Sequence, residues 1–158
     1  MKKTAILLHD IRSIHNVGSI FRTADAFGVE KIYLSGYSPL PVDRFGRKRA
    51  DLAKVALGAE ESVPWEQAES PVELVTKLKK ESYEIVVLEQ AKKSVDYTKV
   101  RDFLKGEKVV VIFGNEVGGV PKELLDLADV IAEIPMRGEK ESLNVSVAGG
   151  ILLSRLVD

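Results

Sequence analysis

Five consecutive apolar residues, Val109-Val110-Val111-Ile112-Phe113, leave no polar position for a solvated face. Successive side chains of a strand point to opposite faces of its sheet, so an unbroken run of this kind must be covered on both sides. Helices packed on both faces of a largely parallel sheet meet that demand. Further short, β-branched runs at 5–8, 31–34, 85–88 and 130–134 supply companion strands, with helix-length stretches between them. The chain is therefore expected to be α/β: a mainly parallel sheet with helices on both faces.

Punctuation along the chain places the helices. Asn16 is a candidate cap for a helix with apolar residues Val17, Ile20, Phe21 and Ala24 at helical spacing, closed by Gly28. Ser70-Pro71-Val72-Glu73 has the form of a capping box with proline at the first helical position, predicting a helix over 70–81. Pro121 opens a short helix through Leu127, and the last helix covers 144–157. No repeat, low-complexity tract or composition shift divides the chain, so residues 1–158 are expected to form one domain.

Composition narrows the function. The absence of cysteine excludes disulfide frameworks, thiolate metal sites and cysteine nucleophiles together, and no metal is expected. The apolar run 5–8 is too short for a signal peptide, and nothing approaches the roughly 20 apolar residues of a membrane span. A cytoplasmic protein with no membrane partner is the expectation. A net charge of −1 argues against nonspecific coating of nucleic acid, and DNA is not an expected partner. A local basic face is still open, because Arg44, Arg47, Lys48 and Arg49 cluster with few opposing carboxylates and Arg12 lies earlier in the chain. Such a run also reads as a solvated helix face.

Three segments look over-specified for plain connections. In Asn16-Val17-Gly18-Ser19-Ile20-Phe21-Arg22, Gly18 and Arg22 are i, i+4 on a helix, so glycine is expected to leave room beside the arginine. A capped helix with a solvated arginine explains the pattern equally. Phe113-Gly114-Asn115-Glu116-Val117-Gly118-Gly119-Val120-Pro121 leaves the most buried strand, where open α/β sheets place ligands. Its glycine spacing fits neither the dinucleotide nor the triphosphate fingerprint, and a glycine-rich turn is the plain alternative. The third, from Ile134-Pro135-Met136-Arg137-Gly138 to Ser142-Leu143-Asn144-Val145-Ser146-Val147-Ala148, leaves a strand and enters the last helix, with Ala148, Gly149 and Gly150 allowing close backbone approach. Ordinary capping and tight helix packing also account for it.

Taken in order, NVGSIFR, GNEVGG and IPMRGEKESLNVSVA resemble the three motifs of the SpoU–TrmH family of the SPOUT methyltransferase superfamily. The likeness spans nearly the whole chain. It implies an α/β fold with a deep C-terminal trefoil knot, although chains do not in general thread their own loops. It further implies S-adenosyl-L-methionine as cofactor, methyl transfer to a ribose 2′-hydroxyl of tRNA or rRNA, and a homodimer. Carried over motif by motif, Arg22, Asn16, Glu116, Ser142 and Asn144 fall on active-site positions. Leu88, Glu89, Gly114, Asn115, Gly118, Ile134, Met136, Ser142 and Leu143 fall on or beside cofactor-binding positions, and Arg12, Arg44, Arg47, Lys48 and Arg49 are the candidate RNA contacts. Many members carry extra segments that help hold RNA, so the resemblance does not name the RNA. A non-catalytic paralogue that binds RNA or the cofactor is the rival reading, and base methylation a further one.

Arg22 occupies the position suspected to be the family's base, a task for which arginine is ill suited. With a pKa of about 12.5–13.8, a neutral guanidine at pH 7 costs roughly 7–9 kcal/mol. A bidentate clamp on a neighbouring phosphate, or a base formed only once that contact reshapes its surroundings, are the two roles expected. Asn16 and Asn144 are expected to orient Arg22 or the RNA, Ser142 to bind ribose or phosphate, and Glu116 to position Arg22 or accept the proton.

Overall fold

The computed structural model describes residues 1–157; Asp158, counted in the expected domain, lies outside them. Its centre is the strand predicted at 109–113. Seven strands, β1 (Lys3–His9), β2 (Lys31–Ser35), β3 (Trp65–Ala68), β4 (Tyr83–Leu88), β5 (Val95–Asp96), β6 (Lys108–Phe113) and β7 (Val130–Glu133), form one sheet. Their order is β3-β2-β1-β6-β4-β7-β5, and every pairing between them is parallel.

Alternation within the central strands sorts their side chains into two cores. Val109, Val111 and Phe113 join Ile6, Leu8 and Val86 on one face, beneath α1 (Ile14–Ala26), α2 (Ala50–Ala56) and α6 (Val145–Leu156). Val110 and Ile112 join Ala5, Leu7, Ile85 and Val87 on the other, beneath α4 (Pro71–Lys80) and the short α5 (Lys122–Leu125). One further turn, α3 (Ala59–Ser62), follows α2. Residues 109–113 are fully buried, which is why the run tolerates no polar residue.

The caps depart from expectation in one instructive place. Ser13, not Asn16, caps α1, its hydroxyl accepting from the Asn16 N–H at 3.1 Å. Asn16 lies inside the first turn and is buried, so its amide is available for longer-range bonds. Ser70 caps α4 as read, accepting from Glu73 N–H, with Pro71 as first helical residue. Pro121 is the cap of α5, which ends at Leu125 rather than Leu127. Asn144 caps α6. Strands β3 and β5 went unpredicted because the first is a polar edge strand and the second has two residues.

Gly18 also serves a purpose other than the one expected. A Cβ there would lie 2.9 Å from Val55 Cβ and 3.0 Å from the Leu52 carbonyl oxygen. The space beside it is filled by α2, not by Arg22, and glycine is what lets the two helices touch. We expect Gly18→Val to cost about 2 kcal/mol or more through overpacking, read as a lower urea midpoint in circular dichroism. An unchanged midpoint would contradict this packing.

Candidate functional site

Parallel strands send their connections out in one direction, so the loops after β4, β6 and β7 emerge side by side. Side-chain bonds to backbone then lock them together. Both carboxylate oxygens of Glu89 are engaged, Oε2 accepting from Val120 N–H and Oε1 from Gln90 N–H, each at 2.9 Å. That contact staples the β4 loop to the β6 loop. Gly119, at φ +69°, lies so close that a Cβ would sit 2.2 Å from Glu89 Oε2. The Gln90 amide donates to the Glu141 carbonyl at 2.9 Å, tying in the loop after β7.

Asn115 shapes the middle loop. Its backbone exchanges hydrogen bonds with Gly119, and its Oδ1 accepts from Val117 N–H at 2.9 Å and Gly118 N–H at 2.7 Å. Its Nδ2 donates to the Asp10 carbonyl and the Tyr37 hydroxyl, both at 2.9 Å. At Gly114 a Cβ would approach the Gly119 carbonyl to 2.6 Å, so the tight return of this loop requires glycine.

The three loops enclose an open cavity of about 710 Å³, a volume typical of small-molecule sites. Leu88, Glu89, Gly114, Asn115, Gly118, Ile134, Met136, Ser142 and Leu143 all line it, as do Glu116 and Asn144. Its walls combine apolar side chains with four carboxylates, Glu89, Glu116, Glu133 and Glu141, and among the described residues contain neither lysine nor arginine. Such a lining suits a ligand with an apolar body and positive charge and disfavours a polyphosphate. Gln90 and Glu141 were not among the residues expected here; Gln90 was findable from its place two residues beyond a predicted strand.

At one edge of the cavity a chain of hydrogen bonds connects the three motifs. Asn144 Nδ2 donates to Asn16 Oδ1 at 3.1 Å, and Asn16 Nδ2 donates to Glu116 Oε1 at 3.3 Å. Glu116 also accepts from the N–H of Arg12 at 3.1 Å and of Ser13 at 3.5 Å, at the start of α1. Asn144 meanwhile accepts from Ser146 N–H and Val147 N–H, starting α6. Partial burial raises the Glu116 carboxyl pKa, but the donors of its own backbone, Arg12, Asn16 and Ser13 outweigh it and hold the group below the ordinary carboxylate range.

Arg22 stands apart from this chain. It is exposed on α1, six residues and about 9 Å of helix rise beyond Asn16, and has no ion pair among the described residues. Glu116, Asn16 and Asn144 bond to one another and to the two helix starts, and none of them bonds to Arg22. Ser142 is exposed at the cavity wall. The basic stretch is a loop before α2 rather than a helix face, and acidic neighbours answer much of its charge. Arg47 pairs with Asp43 at 2.9 Å, Arg49 with Asp51 at 3.4 Å, and Lys48 with Glu61.

Comparison with known proteins places the whole arrangement. The SpoU rRNA Methylase family model matches residues 3–154. The chain is 34% identical to the tRNA (guanosine(18)-2′-O)-methyltransferase of Aquifex aeolicus, over 96% of this chain and 67% of that protein. It is 32% identical to the 23S rRNA (guanosine-2′-O-)-methyltransferase RlmB of Escherichia coli, over 96% of this chain and 58% of that one. An AdoMet-bound rRNA methyltransferase from Sinorhizobium meliloti superposes with a TM-score of 0.84 at 30% identity, covering 98% of this chain and 56% of the other. The chain thus spans between about half and two thirds of the length of these relatives.

A depressed carboxyl pKa has a definite acid signature. Because the folded value of Glu116 lies below that of the unfolded chain, its contribution is fully present above about pH 4.3. It is lost as pH falls through the folded value. We expect the urea midpoint of the parent to fall more steeply on acidification below about pH 4.3 than that of Glu116→Gln. Parallel declines in the two proteins would refute the assignment.

Proposed function

Because the chain belongs to the SpoU rRNA methylase family, we propose that it transfers a methyl group from S-adenosyl-L-methionine to a ribose 2′-hydroxyl of tRNA or rRNA. The observation that carries this reading is the Asn144–Asn16–Glu116 chain, which brings the family's three motifs to one cavity edge. The cofactor fits that cavity by its chemistry. It is a cation with sulfonium and ammonium centres, suited to the four carboxylates, while Leu88, Ile134, Met136 and Leu143 offer an apolar bed for its base.

When bound, S-adenosyl-L-methionine supplies an electrophilic methyl group, so the protein's part is to hold the attacking oxygen in line and let its proton leave. Glu116 is poorly suited to receive that proton, since its oxygens are occupied by donors and its pKa is depressed. It serves instead, with Asn16 and Asn144, to fix the starts of α1 and α6 against the cavity. Arg22, exposed and without an acidic partner among the described residues, is free to grip an incoming phosphate with its planar fork. Ser142 offers its hydroxyl to the ribose or a phosphate from the cavity wall.

The same reading takes the 158 residues as one methyltransferase domain, cytoplasmic, with the C-terminal segment threaded as a trefoil knot. No helix among the described residues is long and apolar enough to cross a membrane. A homodimer through α6 belongs to the proposal as well. The core absorbs Leu152, Leu153 and Leu156, yet Val147 stays 51% exposed in the first turns of that helix. Light scattering at micromolar concentration should report a dimer; a monomer would remove this part.

Mass spectrometry of tRNA and rRNA from cells with and without the gene should show one ribose methylation lost, and calorimetry should show one cofactor bound per protomer. Unchanged ribose methylation together with no binding at high micromolar cofactor would overturn the reading. Arg22→Ala should lower methyl transfer by on the order of a hundredfold or more, with cofactor affinity within a few-fold of the parent. Arg22→Lys should fail as well, because lysine keeps charge but loses the fork. Parental rates in the alanine variant would exclude Arg22 from the mechanism.

A further inference from the structure

The loop 42–48, between β2 and α2, is built to hold its tip rigidly. Val42 and Lys48 form an antiparallel bridge, Asp43 N–H donates to the Arg47 carbonyl at 2.8 Å, and Gly46 N–H donates to the Asp43 carbonyl at 3.0 Å. The Asp43 carboxylate closes the turn from within. Its Oδ1 accepts from Phe45 N–H at 2.8 Å and Arg47 N–H at 3.0 Å, while Oδ2 accepts from Arg47 Nε at 2.9 Å. Arg49 N–H donates to the Pro41 carbonyl, and the Arg49 carbonyl accepts from Ala53 N–H in α2. The loop is thereby anchored to the helix that packs on Gly18 of α1.

What this small scaffold presents is a phenyl ring. Phe45 is 66% exposed, a placement for which the fold gains no burial. The guanidinium of Arg44 lies 4.7 Å and that of Arg47 5.0 Å from its ring centroid. Beside them is a concavity of about 730 Å³ that also includes Leu40, Arg49 and Gln67. Among the described residues Arg44 has no ion pair and the Gln67 amide no hydrogen bond. Lys48 and Arg49 are engaged with Glu61 and Asp51, so the cations left for a ligand are mainly Arg44 and the outer nitrogens of Arg47.

A rigid aromatic face bracketed by guanidinium groups matches a polymer that alternates flat bases with phosphates. We propose that the 42–48 loop is a binding site for single-stranded RNA, with one unstacked base on Phe45, the adjoining phosphates on Arg44 and Arg47, and Gln67 at the base edge. This rests on the reading of the protein as an RNA methyltransferase and adds a contact outside the cofactor cavity. Base stacking is worth enough per nucleotide for its loss to be measured, while pairing in a duplex hides the base faces from the ring.

The test is fluorescence anisotropy on the full chain with a labelled single-stranded oligoribonucleotide and with a fully paired RNA duplex of the same length. Phe45→Ala and Phe45→Leu are both expected to weaken single-strand binding by about tenfold, and Phe45→Trp to retain it. Duplex binding should change little. Arg44→Ala should reduce the slope of log affinity against log salt by about 0.7 on the single strand. Thermal melts of the variants should match the parent, since Phe45 is exposed. Parental single-strand affinity in Phe45→Leu, or equal losses on strand and duplex, would overturn the proposal. Should the parent methylate RNA while Phe45→Leu binds like it, the loop site alone fails; should the parent neither bind nor methylate RNA, both readings fail.

Discussion

Parallel pairing of all seven strands is the constraint from which the rest of the molecule follows. A sheet of this kind needs a covering layer on each face, and residues 109–113 can exist only under such cover. It also sends the carboxyl ends of β4, β6 and β7, adjacent in the sheet, toward one edge. Three loops far apart in the chain thereby become neighbours before any of their side chains is considered. Glu89 and Gln90 then convert proximity into a defined cavity by satisfying backbone groups of the neighbouring loops, and Asn115 by bonding the Asp10 carbonyl after β1.

Much of this was legible in the sequence because it is carried by local signals. An unbroken apolar run betrays a doubly covered strand, and the Ser70-Pro71 start of α4 is read from four residues. Other features had no local signal. Asn16 looks like a cap by residue type, but Ser13 takes that task, and only tertiary contact with Asn144 and Glu116 reveals what Asn16 bonds to. Gly18 reads as space for Arg22 until α2, itself missed, is found pressed against it. The basic stretch shows its charge in sequence but not the pairings with Asp43, Asp51 and Glu61 that reduce it. The carry-over of whole motifs gathered the cavity residues more completely than periodicity did, because the second motif and most of the third are loops, and loops have no period.

Two regions of opposite electrostatic character result. The cavity is lined by carboxylates without a compensating cation, whereas the 42–48 loop concentrates guanidinium groups around an aromatic ring. Positive charge is favoured inside the first and negative charge beside the second. A net charge near zero conceals both, so the overall balance of the chain carries little information about what each surface prefers.

The hydrogen-bond chain from Asn144 through Asn16 to Glu116 spans sequence separations of 128 and 100 residues. Contacts this distant close large loops, at an entropic cost that grows only slowly with loop length. The cavity edge therefore depends on the sheet, which first brings its three loops together. It is also coupled to the stability of the C-terminal helix, because Asn144 is at once a link in the chain and the cap of α6. A transient fraying of the first turn of α6 would free Asn16 Oδ1, leaving that side chain held to the edge by Glu116 alone. Opening of that turn thus loosens the cavity edge at the one side chain that links its two helix starts.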